Sequence, residues 1–156
     1  VYLLARKKGI DLPNIFFIGM QGWGTQNLIN QINNDTYLNK KISVLNNIDD
    51  QRLGEFYKNT LFCIYPSLYE GWGLPIIEAA GFGKVTLCSD IKPLREAGGK
   101  FMKYINPNNP EKWLDAIHLL YSDNLSLQKI QKKIINNFPM QNWEDTAKQI
   151  ISNIRY

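Results

Sequence analysis

An apolar run, a loop with two glycines and a stretch of helical composition follow one another in residues 61–80, LFCIYPSLYEGWGLPIIEAA. Residues 61–65 are apolar without alternation, which is typical of a strand that is covered on both faces. Pro75 suits the first turn of a helix, because its missing N–H would have no partner there. The stretch therefore predicts a strand, then a loop, then a helix near residues 74–82.

The same alternation of short apolar run and helical stretch recurs up to residue 105. The predicted strands are residues 14–19, 41–45, 61–65, 84–88 and 101–105, and the predicted helices lie near residues 24–34, 50–58, 74–82 and 91–97. Such alternation indicates an α/β fold, a Rossmann-like open parallel sheet flanked by helices. The remainder predicts a closing helical segment, with helices over residues 110–121, 125–137 and 142–154.

Composition places the chain among ordinary globular domains. Its 156 residues are 44% hydrophobic and 21% charged, with a net charge of +4, which fits one domain. The charges are mixed along the chain without a basic stripe, so nucleic acid is not an expected partner. Cys63 and Cys88 lie in apolar runs and are expected to be reduced and buried, which favours the cytoplasm. With His118 as the single histidine, no metal site is predicted.

The loop at residues 70–74 has the features of an anion site. Ligands of open α/β sheets bind beyond the carboxyl ends of the strands. Gly71 and Gly73 remove side chains from the loop, so that backbone N–H groups at the helix N-terminus can approach a phosphate. Glu70 and Glu78 would repel a diphosphate and are better suited to the vicinal hydroxyls of a ribose or a sugar. The alternatives are a helix-capping acid for Glu70 and a solvated helix-face residue for Glu78.

A second glycine cluster, Gly19-Met20-Gln21-Gly22-Trp23-Gly24, follows the predicted strand at residues 14–19. Its spacing does not fit the dinucleotide-binding fingerprint. A tight strand-to-helix turn and a ligand-facing loop both remain open for it.

Residues 61 to about 117 closely resemble the C-terminal domain of retaining glycosyltransferases of family 4, which have the GT-B fold. The family motif is a Pro-Ser strand end, then Glu-Gly-(aromatic)-Gly-Leu-Pro, with a second glutamate eight residues after the first. The positions that match it are Pro66, Ser67, Glu70, Gly71, Trp72, Gly73, Leu74, Pro75 and Glu78. Shorter elements at residues 49–56, 89–98, 106–111 and 143–147 add to the resemblance.

The resemblance implies a role for each of these positions. Glu78 would bind the donor's ribose hydroxyls, and Glu70, the candidate catalytic residue, would lie against the donor sugar without acting as a nucleophile. The backbone of residues 71–74 would hold the sugar and the diphosphate, with Gly19 also in the donor site. Asn47, in the loop 46–48, would border the nucleobase. The family works without a metal and without a cofactor beyond its nucleotide-sugar substrate, here UDP-, GDP- or dTDP-linked.

The resemblance also implies that residues 1–156 are one part of a larger enzyme. Residues 1–9 look like the helix that follows the domain's first strand, and that strand and the acceptor-binding N-terminal domain are not in this sequence. The basic residue that the family often has after the strand ending at Gly19 is replaced by Met20 and Gln21. The chain alone is therefore expected to bind a donor and to turn over poorly or not at all.

The predicted function is retaining transfer of a sugar from a nucleotide-sugar to a glycan or lipid-linked acceptor. The reaction is expected in the cytoplasm, with peripheral membrane contact at the inner face through the full-length protein. One alternative is a catalytically inactive, nucleotide-binding scaffold. Another is a different GT-B enzyme such as a sugar-nucleotide epimerase, although neither a suitably placed histidine nor a cofactor lysine motif supports it.

Overall fold

The computed structural model describes residues 1–140 and 143–154. The strands are β1 (Ile15–Ile18), β2 (Ile42–Leu45), β3 (Cys63–Tyr65), β4 (Thr86–Ser89) and β5 (Lys103–Ile105). The helices are α1 (Tyr2–Lys8), α2 (Gln26–Asn34), α3 (Thr36–Lys41), α4 (Asp50–Asn59), α5 (Leu74–Gly81), α6 (Lys92–Gly98), α7 (Pro110–Ser122), α8 (Asn124–Asn137) and α9 (Trp143–Asn153), with a 3-10 turn at Gly99–Phe101. Each predicted strand overlaps an observed one, and α3 is a helix that the sequence analysis did not predict. Asn142, the predicted first residue of the last helix, lies outside the described residues.

All strand pairs are parallel, and helices flank them, so the predicted α/β class is confirmed. β1 pairs with β2, with Ile15 opposite Ile42. β3, β4 and β5 form a second ladder in that order, with Cys63 opposite Thr86 and Leu87 opposite Lys103. The single expected sheet is divided in two because no ladder joins the two-stranded sheet to the three-stranded one in the described part of the chain.

Helix starts follow local capping chemistry. Asp49 caps α4 by accepting a hydrogen bond from the backbone N–H of Arg52 at 2.7 Å. Asn109 caps α7 in the same way through the N–H of Lys112 at 3.1 Å. An Asp or Asn side chain at this position satisfies an amide that the helix itself cannot. These caps set where the helices around the sheets begin.

The hydrophobic core lies around β4 and α5. All four residues of β4 are buried, as expected of a central strand. Ile76 and Ala79 on α5 and Leu94 on α6 are fully buried. This packing holds the start of α5 against the ends of β3 and β4. No helix among the described residues is long and apolar enough to cross a bilayer.

Candidate functional site

The candidate site is built on the loop between β3 and α5. β3 ends at Tyr65, and α5 begins at Leu74 with Pro75 in its first turn. Gly73 is the N-cap residue of α5, and its carbonyl accepts a hydrogen bond from the N–H of Ile76 at 3.2 Å. The predicted strand, loop and helix are therefore present, and the free N–H groups of the first helical turn lie at the carboxyl end of the sheet.

The two glycines of the loop have different surroundings. Gly73 has φ 96° and ψ 52°, a left-handed conformation that side-chain-bearing residues avoid. A Cβ on Gly73 would lie 2.3 Å from Cδ2 of the buried Leu94. A Cβ on Gly71 would meet nothing within 4 Å. Gly73 is thus needed for the fold of the loop, whereas Gly71 leaves its backbone open to the crevice.

Glu70 is half-buried and faces the last residue of β3. The hydroxyl of Tyr65 donates a hydrogen bond to Oε1 of Glu70 at 2.6 Å. Burial, then this hydrogen bond and the charges of Glu70 and Glu78, raise the pKa of Tyr65 to about 12. The phenol is therefore a hydrogen-bond donor at neutral pH. Glu70 is not the N-cap residue of α5, since Gly73 holds that position.

Glu78 lies one turn into α5 and is exposed. It accepts a hydrogen bond at Oε2 from the hydroxyl of Tyr57, on α4, at 3.0 Å. Burial, then the hydrogen bond to Glu78, raises the pKa of Tyr57 above its ordinary value. Glu78 is therefore more than a solvated helix-face residue, since a side chain from another helix holds one of its oxygens.

Tyr65 lies near both Glu70 and Glu78. The charges of both carboxylates raise the pKa of Tyr65, and those of Glu78 and Tyr65 raise the pKa of Tyr57. The four side chains thus form one cluster, which we call the Tyr–Glu cluster: Tyr57, Tyr65, Glu70 and Glu78. The sequence analysis named the glutamates and missed both tyrosines. Tyr65 stands at the strand end five residues before Glu70, a position from which its hydroxyl could have been anticipated.

The predicted site residues of this loop that carry apolar side chains are exposed. Trp72 is about half exposed and Leu74 more so, as are Leu68 and Tyr69 just before Glu70. Exposed apolar side chains next to two carboxylates give the rim of the crevice a mixed character, suited to a ligand with both polar and apolar faces.

Gly19 and Asn47 lie at the carboxyl ends of β1 and β2. Gly19 has φ 142°, and its N–H donates to the carbonyl of Leu45 at 3.1 Å, so this amide is already used. Asn47 has φ 55°, a left-handed value uncommon outside glycine. Strained backbone of this kind tends to occur at functional loops. No hydrogen bond found within residues 1–140 and 143–154 joins Gly19 or Asn47 to the Tyr–Glu cluster.

The loop after β1 carries two highly exposed apolar side chains, Met20 and Trp23. A cavity of about 430 Å³ lies elsewhere, between β5 and α7, and is lined by Leu87, Tyr104 and Leu119 among others. None of the predicted site residues lines it. In the described part of the chain, no three His, Cys, Asp or Glu side chains come together in a way that could hold a metal ion.

The strand-loop-helix unit lies within a stretch that matches a known protein family. The model for "Glycosyl transferases group 1" matches residues 4–139. The chain belongs to this family. The match covers most of the chain and confirms the predicted resemblance to glycosyltransferases at the level of this family.

Several curated relatives of this chain are mannosyltransferases. The serotype-specific mannosyltransferase WbdA of Escherichia coli is 30% identical over 148 residues, covering 90% of this chain and 17% of the relative. The O-antigen chain mannosyltransferase RfbU of Salmonella typhimurium is 27% identical over 121 residues, covering 76% of this chain and 32% of the relative. The chain thus spans about a sixth to a third of the length of these two proteins.

Solved structures share the fold of this chain. Sucrose-phosphate synthase from Thermosynechococcus elongatus superposes with a TM-score of 0.74 at 21% identity, covering 97% of this chain and 40% of that one. TarM superposes with a TM-score of 0.69 at 19% identity, covering 96% and 30%. At sequence identities this low, the structural similarity shows a shared fold and nothing further.

Proposed function

We propose that this chain is the donor-binding part of a retaining, GT-B glycosyltransferase of family 4 that takes a hexose from a nucleoside diphosphate sugar. The observation that carries the proposal is the Tyr–Glu cluster beside the N-terminus of α5, in which each glutamate accepts a hydrogen bond from a tyrosine and Tyr65 lies near both carboxylates. The mannosyltransferase relatives favour mannose as the sugar. The acceptor in this proposal is a glycan or a lipid-linked glycan.

The diphosphate would lie at the start of α5. N–H groups at a helix N-terminus have no partner within the helix, and the helix dipole adds positive charge there. In α5, Pro75 has no N–H, and that of Ile76 is bonded to the carbonyl of Gly73. The groups offered to the anion are therefore those of Leu74 and the preceding loop. Gly71 leaves the approach to them open. Because a leaving diphosphate gains negative charge, groups already aimed at it stabilise the transition state. In this arrangement the backbone N–H groups bind the diphosphate and the carboxylates bind the ligand hydroxyls.

Glu78 would accept hydrogen bonds from the ribose hydroxyls, and Glu70 from the sugar. In each carboxylate a tyrosine engages one oxygen, which leaves the other for a ligand hydroxyl. In the retaining reaction the acceptor hydroxyl attacks the anomeric carbon on the face from which the diphosphate leaves, and its proton passes to the departing phosphate. Glu70 would hold the sugar for this step without forming a bond to it.

We further propose that residues 1–156 lack one strand of their own domain and the whole acceptor-binding domain. Within residues 1–140 and 143–154, β1 and β3 each pair on one side only. β3 is only half-buried although all its residues are apolar or aromatic. A parallel strand between β1 and β3 would join the two sheets into the doubly wound order. We assign the reaction to the cytoplasm, with membrane contact at the inner face through the longer protein, and the two free cysteines favour that compartment.

A nucleotide-binding scaffold without catalysis is the second candidate. It is favoured by the loop after β1, where Met20 and Gln21 offer no positive charge to a diphosphate. The two candidates differ in sugar discrimination, because a scaffold needs only the nucleotide.

Calorimetric titration of the chain with UDP-, GDP- and dTDP-sugars, GDP-mannose among them, and with the free diphosphates tests the proposal. Selective binding of one nucleotide sugar is expected, and no binding by any of them would overturn it. Glu78→Ala should weaken the free diphosphate about 10- to 100-fold, as expected for a hydrogen bond to a charged group. Glu70→Ala should weaken the sugar nucleotide more than the diphosphate. Glu55→Ala, an exposed carboxylate on α4, is the matched control and should change neither affinity.

A further inference from the structure

The two glutamates of the candidate site are each held by a phenol from a different element. Tyr57 belongs to α4, which precedes the strand-loop-helix unit, and Tyr65 ends β3. Tyr57 reaches across to α5 to meet Glu78, and Tyr65 reaches over the loop to meet Glu70. Each carboxylate therefore has one oxygen engaged. Within the described residues, no other side chain donates a hydrogen bond to either carboxylate.

Tyr57 is itself fixed by packing. Its ring is half-buried and stacks on Phe82, the residue that ends α5, with centroids 5.3 Å apart and planes 18° from parallel. A tyrosine has two side-chain torsions, whereas a glutamate has three and loses more rotamer freedom when it is ordered. The stacked phenol thus orders a carboxylate that would otherwise turn freely on an exposed helix face.

Both phenols stay protonated over the physiological range. Burial is the first cause of the raised pKa of each, and the neighbouring carboxylate is the second. A protonated phenol beside a carboxylate can only donate to it. The direction of both hydrogen bonds is therefore the same at every pH at which a glycosyltransferase works.

We propose that Tyr57 and Tyr65 are positioning residues of the donor site, each turning one glutamate so that its free oxygen meets a ligand hydroxyl. Tyr57 acts through Glu78 on the nucleotide, and Tyr65 acts through Glu70 on the sugar. This rests on the proposed function, and it goes beyond that function by naming the groups that orient the two carboxylates. Neither tyrosine belongs to the motif by which the site was found.

The expected effects are modest, because each tyrosine acts through a glutamate. Ordering one free side chain on binding costs roughly 0.5–1.5 kcal/mol, and a side chain that is already ordered avoids this cost. Tyr57→Phe keeps the stacked ring and removes the hydroxyl. It should weaken the diphosphate and its sugar nucleotide equally, about three- to tenfold. Tyr65→Phe should weaken the sugar nucleotide by a similar factor and leave the diphosphate unchanged.

The test is calorimetric titration of the whole chain with whichever of UDP, GDP and dTDP binds the wild type most tightly, and with its sugar nucleotide. Tyr57→Phe is measured alone and in a Glu78→Ala background. If Tyr57 works through Glu78, its effect disappears in that background, which is the signature of coupling. A tyrosine that only ties α4 to α5 would lower the free energy of unfolding without producing this ligand-dependent pattern.

Tyr2→Phe is the matched control. Tyr2 is buried in α1 and donates its hydroxyl to the carbonyl of Pro13 at 2.7 Å, so it loses the same group outside the candidate site. It should change stability and leave both affinities intact. Wild-type binding with unaltered affinity in Tyr57→Phe and Tyr65→Phe would overturn this inference alone. Absence of binding by the wild type would instead overturn the proposed function.

Discussion

Replacing Gly73 by alanine should destabilise the chain far more than the same change at Gly71. The two glycines stand two residues apart in one loop and look equivalent in the sequence. At Gly73 the backbone is left-handed and a Cβ would lie 2.3 Å from Cδ2 of Leu94. At Gly71 a Cβ would meet open space.

The size of the effect follows from three contributions. An alanine in a sparsely populated backbone region costs about 1–3 kcal/mol. Forcing a methyl group against the fully buried Leu94 costs about 1–3 kcal/mol, as in other overpacked cores. Reduced freedom of the unfolded chain returns about 0.4–1 kcal/mol. Gly73→Ala should therefore lower the free energy of unfolding by about 1–6 kcal/mol, and Gly71→Ala should change it by less than about 1 kcal/mol.

Urea unfolding followed by far-ultraviolet circular dichroism measures both variants at constant m-value. A third measurement separates the two costs at Gly73. In a Leu94→Ala background the clash is absent, so Gly73→Ala should then lose only the backbone part, about 1–3 kcal/mol. Equal stability of the Gly73 and Gly71 variants would refute the reasoning, because it would mean that the loop tolerates a side chain at either position.

Three further predictions concern stability and reactivity. Burial raises the pKa of Cys63 to about 11 and that of Cys88 to about 12. At pH 8 both thiols should therefore react slowly with an aromatic disulfide reagent in the native chain and react fully in urea. Rapid reaction of the native chain would contradict this. Asn109→Ala removes the cap of α7 and should cost about 1 kcal/mol in urea unfolding, whereas Asn109→Asp should retain most of it. Because the pKa of Tyr65 is raised from 10 to about 12, its contribution to the free energy of unfolding is complete below pH 10 and is lost towards pH 12. The free energy of unfolding should therefore fall between pH 10 and pH 12 less steeply in Tyr65→Phe than in the wild type. Identical slopes in the two proteins would exclude the assignment.

The strands could be predicted because their sequence signal is local. Each is a short apolar run, and burial on both faces of a sheet requires such a run. The observed end of a strand differs from the predicted end where burial continues past the apolar residues. In β4, for example, the buried Ser89 extends the strand beyond its predicted end. Local composition thus identified the strands and could not set their ends to the residue.

α3 was missed because its start depends on a contact that the sequence does not show. Asp35 caps it by accepting hydrogen bonds from the N–H groups of Tyr37 and Leu38. Asp35 also pairs with Arg6, which lies 29 positions earlier, at 2.9 Å. Six polar-rich residues carry too little periodicity to predict a helix without that support.

The candidate site divides in the same way. Glu70 and Glu78 were named because they match a family motif within one short stretch of sequence, and such a motif is local. Tyr57 could not, since its contact with Glu78 spans 21 positions and depends on how α4 packs beside α5. The order of strands is also non-local, so the division into two sheets could not be read from the residues.

The one-sided pairing of β1 and β3 has a consequence for amide hydrogen exchange. Successive N–H groups of a strand point to opposite sides, so about half of the amides in β1 and β3 face an unpaired edge, while β4 is paired on both sides. Deuterium should enter β1 and β3 at alternate residues and should enter β4 slowly throughout. Unpaired edges are also templates for another strand. If copies of the chain pair along these edges at high concentration, hydrogen exchange should slow first at the edge-facing amides of β1 and β3.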